Sequence, residues 1–425
     1  MIGICDLPPE LLVEVLRRLD ISSIKEARLA CRQWAETGAG CLPHRVYYAP
    51  RHDRIDVFNS ISENTPFAAN FTELVYDARM FHDAVLEGYR NYYWEDHHPS
   101  EEMFQKSREQ YKSYLQLQTS ILDTGRDFDT LRMGLKRLPN LRQISILGRF
   151  RDAVYFRPFI PTPHEWYRSW LLRQFKGIVE PSQLGELDRG SVWDCRGIEN
   201  LFKAVASHAP KLHNLILDCE AEILSTTIYS GPKPTAPLKT IIPRLRKFRT
   251  TCETRESLDE EEIITQRSRD ITSLLYESPQ LNEIIFYLDR SFILKGRWSH
   301  LRVLTLIYGL LDLPNLRDFS QFHAEVLREL RLCNVQLRGV NSWEEVAEKL
   351  GRYWRLDMLL LSGLTDGTEP EQIDDLRRLE SIARSFMVRI SYEDLEVATN
   401  RRAVIAWHKQ NQVFISEFQN SFYHL

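Results

Sequence analysis

The stretch LRELRLCN, from Leu327 to Asn334, decides the fold. Leu330 and Leu332 alternate with charged residues, and this period of two is typical of a strand that buries one face. The alternation is short and follows directly after a leading leucine at position 327. The stretch therefore predicts a short strand with leucines on its buried side and charged residues on the other side.

The same order of a leading leucine, two variable residues and an alternating apolar pair recurs along the chain. The copies start at Leu141, Leu212, Leu245, Leu281, Leu301, Leu327 and Leu356, with a weaker copy at Phe71. A segment with helical apolar spacing precedes several copies, and proline turns at Pro139, Pro210 and Pro279 separate helix from strand. Repetition of helix, turn and strand predicts parallel strands joined by crossing helices.

This repetition resembles leucine-rich repeats, whose consensus ends in an asparagine as LRELRLCN does. From Leu281 to Leu356 the copies start 20, 26 and 29 residues apart, as in regular repeats, whereas the earlier copies are farther apart. The resemblance implies an α/β fold over residues 49–425: an irregular leucine-rich-repeat-like solenoid with helices outside and parallel strands on the concave face. Insertions are expected near 87–118 and 150–195. A generic α/β domain is the alternative.

Residues between the buried leucines are expected on the strand face opposite the helices. Taken position by position, they form three columns that mix apolar side chains with arginine and glutamate, which suits a protein-binding groove better than a phosphate-binding one. We expect the two insertions to flank this groove. The candidate target groove comprises Glu283, Ile285, Tyr287, Val303, Thr305, Ile307, Glu329 and Arg331.

The first fifty residues carry a different pattern. In DLPPELLVEVLRRLD, from Asp6 to Asp20, apolar residues follow the period of an amphipathic helix that begins behind two prolines. Ser23 and Glu26 have capping-box spacing and predict the start of a second helix. Because so small a unit buries too little surface to be stable unaided, the apolar stripe either packs into the protein's own core or docks another chain.

The segment from Leu7 to Trp34 resembles the F-box. The pattern of that family is roughly L-P-x-E-L-L-x-x-I-L, then a short break and V-C-basic-x-W. Val15, Ile24 and Ala30 depart mildly from it and keep the apolar pattern. The matching residues are Leu7, Pro8, Glu10, Leu11, Leu12, Val15, Leu16, Leu19, Ile24, Leu29, Cys31, Arg32 and Trp34.

The resemblance implies a three-helix F-box at residues 1–48 that docks onto the S-phase-kinase-associated adaptor of cullin–RING ubiquitin ligases. Apolar anchors at helical spacing suit a helix that lies in a partner's groove. Leu12, Leu29 and Cys31 are equally suited to the core of the F-box itself. The implied adaptor contacts are Leu7, Pro8, Glu10, Leu11, Val15, Leu16, Leu19, Ile24 and Trp34.

Composition narrows the classes of partner. The 425 residues are 43% hydrophobic and 27% charged, which is enough apolar material for a large core. The net charge is −4, so there is no excess of basic residues that would favour binding to nucleic acid. Seven cysteines without a CxxC pair indicate reduced thiols and a cytoplasmic or nuclear location. No apolar run is long enough for a membrane span, so we expect neither a nucleic-acid nor a membrane partner.

Motifs that carry catalysis are missing from the sequence, among them the phosphate-binding loop, the zinc-protease helix and the serine-hydrolase elbow. His97 and His98 beside Glu95 are interpreted as a solvated loop rather than a metal site, and no cofactor is expected. We expect a non-enzymatic substrate-recognition subunit of a Skp–cullin–F-box ubiquitin ligase. The alternatives are a repeat-protein interaction scaffold acting outside the ligase, and an enzyme whose site is assembled across the fold.

Overall fold

The chain is a mixed α/β protein in which three N-terminal helices are followed along the sequence by a mostly parallel sheet. The computed structural model describes residues 7–19, 21–42, 44–88, 100–147, 196–218, 236–252, 275–288, 296–307, 309–311, 313–333, 335–338, 342–351, 353–362, 364, 397–398 and 404–408.

The three N-terminal helices are α1 Pro9–Leu16, α2 Ile21–Ala27 and α3 Arg32–Ala39. Pro9 occupies the first turn of α1, where a missing N–H costs nothing. The second helix begins at Ile21, so the predicted cap at Ser23 lies inside it rather than at its start. The large side chains at the centre of this unit, Leu12, Leu16, Ile24 and Trp34, form a core of their own.

The strands are β1 Arg45–Tyr48, β2 Glu73–Asp77, β3 Gln143–Leu147, β4 Asn214–Asp218, β5 Lys247–Cys252, β6 Glu283–Leu288, β7 Val303–Ile307, β8 Leu310–Leu311, β9 Glu329–Cys333, β10 Gln336–Leu337, β11 Met358–Ser362, β12 Val397–Ala398 and β13 Val404–His408. Strands β1 to β7, β9 and β11 pair in parallel and in chain order. β13 then pairs antiparallel with β11, and β12 with β13, while β8 and β10 form a separate parallel pair.

Every predicted copy of the leucine pattern forms one of these strands, and each strand begins two residues after the leading Leu or Phe. The prediction of parallel strands is confirmed. The additional strand β1 lies inside the segment assigned to the F-box, so the sheet begins at Arg45 rather than after residue 48. Its short RVYY sequence has no leading leucine, which is why the pattern missed it.

The remaining helices are α4 His52–Glu63, α5 Thr65–Ala68, α6 Asp83–Glu87, α7 Glu101–Asp123, α8 Arg126–Lys136, α9 Arg196–His208, α10 Ala236–Ile241, α11 Leu313–His323 and α12 Trp343–Gly351, with a 3-10 turn at Ile242–Arg244. Leucines of α8, α9 and α11 share one core with strand residues such as Ile144 and Leu330. We call this side of the sheet the first face and the opposite side the second face. Parallel strands require crossing connections, and the helices bury the first face.

The insertion near 87–118 does not flank the groove as expected. From Glu101 on, it forms helix α7, which packs against α4, α6 and α8 and thickens the helical layer. Gln118 forms two hydrogen bonds with the backbone of Phe81, both 3.0 Å, and the Tyr111 hydroxyl accepts from the His82 N–H at 2.9 Å. Aromatic and amide side chains therefore fasten α7 to the loop after β2. Residues 89–99 and the insertion near 150–195 lie outside the described residues.

A buried histidine locks the end of α11. The Nδ1–H of His323 donates to the Phe319 carbonyl oxygen at 2.8 Å, and its Nε2 accepts from the backbone N–H of Trp298 at 3.1 Å. The imidazole stacks on the Phe319 ring with centroids 4.0 Å apart. This geometry requires a neutral ring, and burial lowers the pKa of His323 to about 4.

We expect His323 to make the fold acid-sensitive. The pKa of His323 in the folded protein lies below the ordinary histidine value of 6.5, so its contribution to stability is fully present above pH 6.5 and is lost as the pH falls toward 4. That loss amounts to roughly 3 kcal/mol of unfolding free energy. Denaturant titrations across this range should show a shallower acid loss for His323→Gln, whereas the exposed His300→Gln should follow the wild type. Equal slopes for His323→Gln and wild type would contradict the assignment.

We expect Trp34 to hold the N-terminal helices together. Trp34→Ala should destabilise them by about 3 to 5 kcal/mol, because a large side chain that is only 8% exposed is removed from a very small core. Leu29 is 87% exposed, so Leu29→Ala should change stability by less than about 0.5 kcal/mol. Amide hydrogen exchange in α1 to α3 measures both effects, and similar protection in the two variants would overturn this interpretation.

Candidate adaptor surface and sheet face

The N-terminal helices are attached firmly to the edge of the sheet. His44 precedes β1, and its carbonyl oxygen accepts hydrogen bonds from the N–H groups of Thr72 and Glu73 at 2.9 and 3.0 Å. The Arg28 guanidinium lies 4.2 Å from the ring centroid of Phe67, which itself packs against the sheet core. A cation–π contact and a short connection thus fix the helices relative to β1.

Helix α1 divides its apolar residues between two surfaces. Leu12 and Leu16 are fully buried, whereas Leu11 is 54% exposed and Val15 is 38% exposed. Leu19, just beyond the helix, is 37% exposed on the same i, i+4, i+8 row. Helical spacing therefore places one apolar stripe in the core and leaves a second stripe open to solvent.

Three of the predicted adaptor contacts belong to the core instead. Leu16, Ile24 and Trp34 are at most 8% exposed and pack on one another and on Leu12. The F-box pattern does not distinguish core from surface, because both need apolar residues at helical spacing. In this chain these three side chains support the surface rather than forming it.

The other predicted contacts lie at the start of α1. Pro8 and Glu10 are exposed and Leu7 is half-buried, and the Leu7 carbonyl oxygen accepts a hydrogen bond from the side-chain amide of Gln33 at 2.9 Å. Leu29, which the sequence left open between core and contact, lies in the turn between α2 and α3 and is the most exposed of the large apolar residues described. We name Leu11, Val15, Leu19 and Leu29 the exposed leucine–valine set.

The second face of the sheet carries the columns expected from the sequence. Strand register aligns the first column across β3 to β11 as Gln143, Asn214, Lys247, Glu283, Val303, Glu329 and Met358. The second column comprises Ser145, Ile216, Arg249, Ile285, Thr305, Arg331 and Leu360. Because the parallel register repeats without a shift from strand to strand, residues from distant parts of the chain become neighbours within each column.

At the β1 side, this face is a network of polar side chains. The Ser145 hydroxyl donates to a Glu73 carboxylate oxygen at 2.6 Å, and the other Glu73 oxygen pairs with Arg45. The Gln143 amide donates to Ser145 at 3.3 Å and accepts from Asn214 at 3.4 Å. These groups satisfy one another across four strands, which is what polar groups on a largely covered face require.

Farther along, the face carries ion pairs on either side of apolar residues. Lys247 Nζ lies 2.5 Å from a Glu283 carboxylate oxygen, and Arg331 Nη2 lies 2.9 Å from a Glu329 carboxylate oxygen. Val303 on β7 lies between Glu283 and Glu329 in the first column, and Ile285 follows Glu283 by two residues on β6. Both apolar side chains are half-buried. We name the first two columns from β5 to β9 the central band.

Two members of the predicted groove are not exposed. Thr305 is 2% exposed, because it is a short side chain between the longer Ile285 and Arg331 in the second column. Ile307 is 1% exposed at the end of β7, just before the chain turns at Gly309. Beside it burial raises the pKa of the Cys333 thiol, so that thiol is unreactive. The side chain of Tyr287 lies outside the described residues.

Within the described part of the chain, no group of three or more His, Cys, Asp or Glu side chains is arranged to hold a metal ion. No described helix combines the length and the apolar character that a membrane span requires. His97 and His98 lie outside the described residues.

Comparison with known proteins identifies one domain. Residues 4–47 match the family described as F-box-like, and they contain the three N-terminal helices and most of β1. No curated protein sequence matches the chain. The N-terminal unit is therefore an F-box-like domain, and it carries both the buried core and the exposed leucine–valine set described above.

Proposed function

We propose that this protein is the substrate-recognition subunit of a Skp–cullin–F-box ubiquitin ligase, acting in the cytoplasm or nucleus. Its F-box-like domain binds the S-phase-kinase-associated adaptor and through it a cullin. The sheet domain binds a target protein, and the chain itself performs no catalysis. Holding target and ligase on one chain makes ubiquitin transfer effectively intramolecular.

The observation that carries the proposal is the exposed apolar set on the F-box-like domain. Leu11 and Leu29 expose more than half of their surface although the domain has a well-defined core beneath them. Exposed large apolar side chains on so small a unit favour a partner surface, since their burial in a complex gains about 25 cal/mol per Å². Anchors spaced along α1 suit a helix that lies in an apolar groove.

We further propose that residues 49–425 form a leucine-rich-repeat-like solenoid that presents the target. Nine strands in chain order, with helices of the described connections packed on the first face, support this reading. Ladder-like register extends the second face across the whole sheet, as a target-binding surface needs. The spacing of the early copies, up to 71 residues between leading positions, means that the repeats are irregular and carry insertions.

We expect Leu11→Asp combined with Val15→Asp to abolish adaptor binding. Each substitution places a charge on a surface that must be desolvated, and truncation of such anchors costs about 2 kcal/mol or more. The dissociation constant should therefore rise at least about a hundredfold. Co-expression with the adaptor, followed by size-exclusion chromatography and titration calorimetry, measures the effect.

The chain offers a matched control. Val57 on α4 and Leu117 on α7 are 39% and 47% exposed, close to Val15 and Leu11, but lie outside the F-box-like domain. Val57→Asp with Leu117→Asp should leave co-elution intact. If the control pair releases the adaptor as readily, the surface is misplaced. If the wild-type chain elutes folded and alone, the ligase role fails, and a scaffold outside the ligase becomes the better account.

A further inference from the structure

We propose that the central band recognises an unmodified, apolar segment of the target rather than a phosphorylated one. The inference rests on the proposed function, because it assigns the chemistry of the target that the sheet domain holds. It depends on how the charges of the band are paired, which the sequence left open for Lys247, Arg249 and Arg331.

Two of the three basic side chains of the central band form ion pairs. Lys247 pairs with Glu283 on the neighbouring strand, and Arg331 pairs with Glu329 on its own strand. Arg249 also has an interaction within the chain. The two ion pairs are each neutral overall, so they do not concentrate positive charge at the surface.

A phosphate would meet carboxylates at each of these positions. To bind Lys247 or Arg331, a doubly charged phosphate must displace a glutamate that stays close by: Glu283 is the register partner of Lys247, and Glu329 lies two residues before Arg331 on the same strand. The displaced carboxylate would then repel the phosphate at close range. Arginine clusters that recognise phosphate offer free guanidinium groups instead, so the band has the wrong electrostatics for that ligand.

An apolar side chain finds better complementarity. Ile285 on β6 and Val303 on β7 are diagonal neighbours on the second face, because Ile285 is in register with Thr305 and Val303 with Glu283, and both are half-buried. Val303 lies between Glu283 and Glu329 in the first column, so one member of each ion pair flanks it. This is the layout of a protein interface with an apolar centre and a polar rim. A target side chain such as leucine or phenylalanine fits over the centre, while the rim pairs exclude water.

The test uses peptide selection on the complex of the full chain with its adaptor. One random peptide library is unmodified, and a second library is fixed on a central phosphoserine. We expect the unmodified library to enrich peptides with a shared apolar residue. Their affinity should fall about tenfold in Ile285→Thr with Val303→Thr, since two apolar contacts are replaced by hydroxyls of similar shape.

The control variant removes an ion pair and leaves the net charge unchanged. Lys247→Gln with Glu283→Gln should bind the selected peptides within about twofold of wild type, in line with the small worth of exposed ion pairs. Thermal melting and adaptor co-elution check the fold of each variant. If the double threonine variant has a lowered melting temperature, the single variant Ile285→Gln replaces it in the binding measurement.

Several results would overturn the proposal. These are preferential binding of the phosphoserine library, strong loss of binding in the paired glutamine variant, full binding by the threonine variant, or no enrichment from either library. Adaptor co-elution is measured on the same preparation, so a failure of the ligase role shows itself separately. In that case the selection is repeated on the chain alone and still decides the chemistry of the band.

Discussion

The structure depends on burying one face of nine parallel strands. Each strand turns two side chains toward this face, such as Leu330 and Leu332 in β9, and both are apolar in every strand but β5, where Thr250 takes one position. Parallel pairing forces the chain to cross over the sheet between strands, and the crossing helices cover that face. The second face is therefore left for side chains that the core does not need, and this is where charged and apolar residues mix.

The same constraint places the F-box-like domain. A sheet of this kind has an open edge at β1, and an open edge must be covered or shortened. β1 has only four residues, and the helices of the F-box-like domain precede it directly, held by His44 and by Arg28 over Phe67. The F-box-like domain is consequently joined to the sheet by packed contacts rather than by a free linker, which suits the proposed role of presenting a target at a set position.

Much of this arrangement follows from sequence periodicity, and its limits are physical. A leading leucine with alternating apolar residues predicted eight strands and their register, because a one-residue slip would turn every leucine to the wrong face. Periodicity states which faces are apolar but not what covers them. For that reason periodicity could not separate buried Trp34 from exposed Leu29. It also could not predict that neighbouring side chains cover Thr305, or that α7 belongs to the helical layer.

Adjacent residues of α1 show why stability and binding are separable in this chain. Leu11 and Leu12 differ in burial by half of a side-chain surface although they are neighbours in sequence. Leu12 belongs to a core formed within the chain, so in the proposed complex the exposed stripe gains burial energy only when the adaptor binds. The second face follows the same logic: Glu283 and Glu329 neutralise Lys247 and Arg331 in the free chain. The proposed target selectivity then rests on shape and apolar contact rather than on those charges.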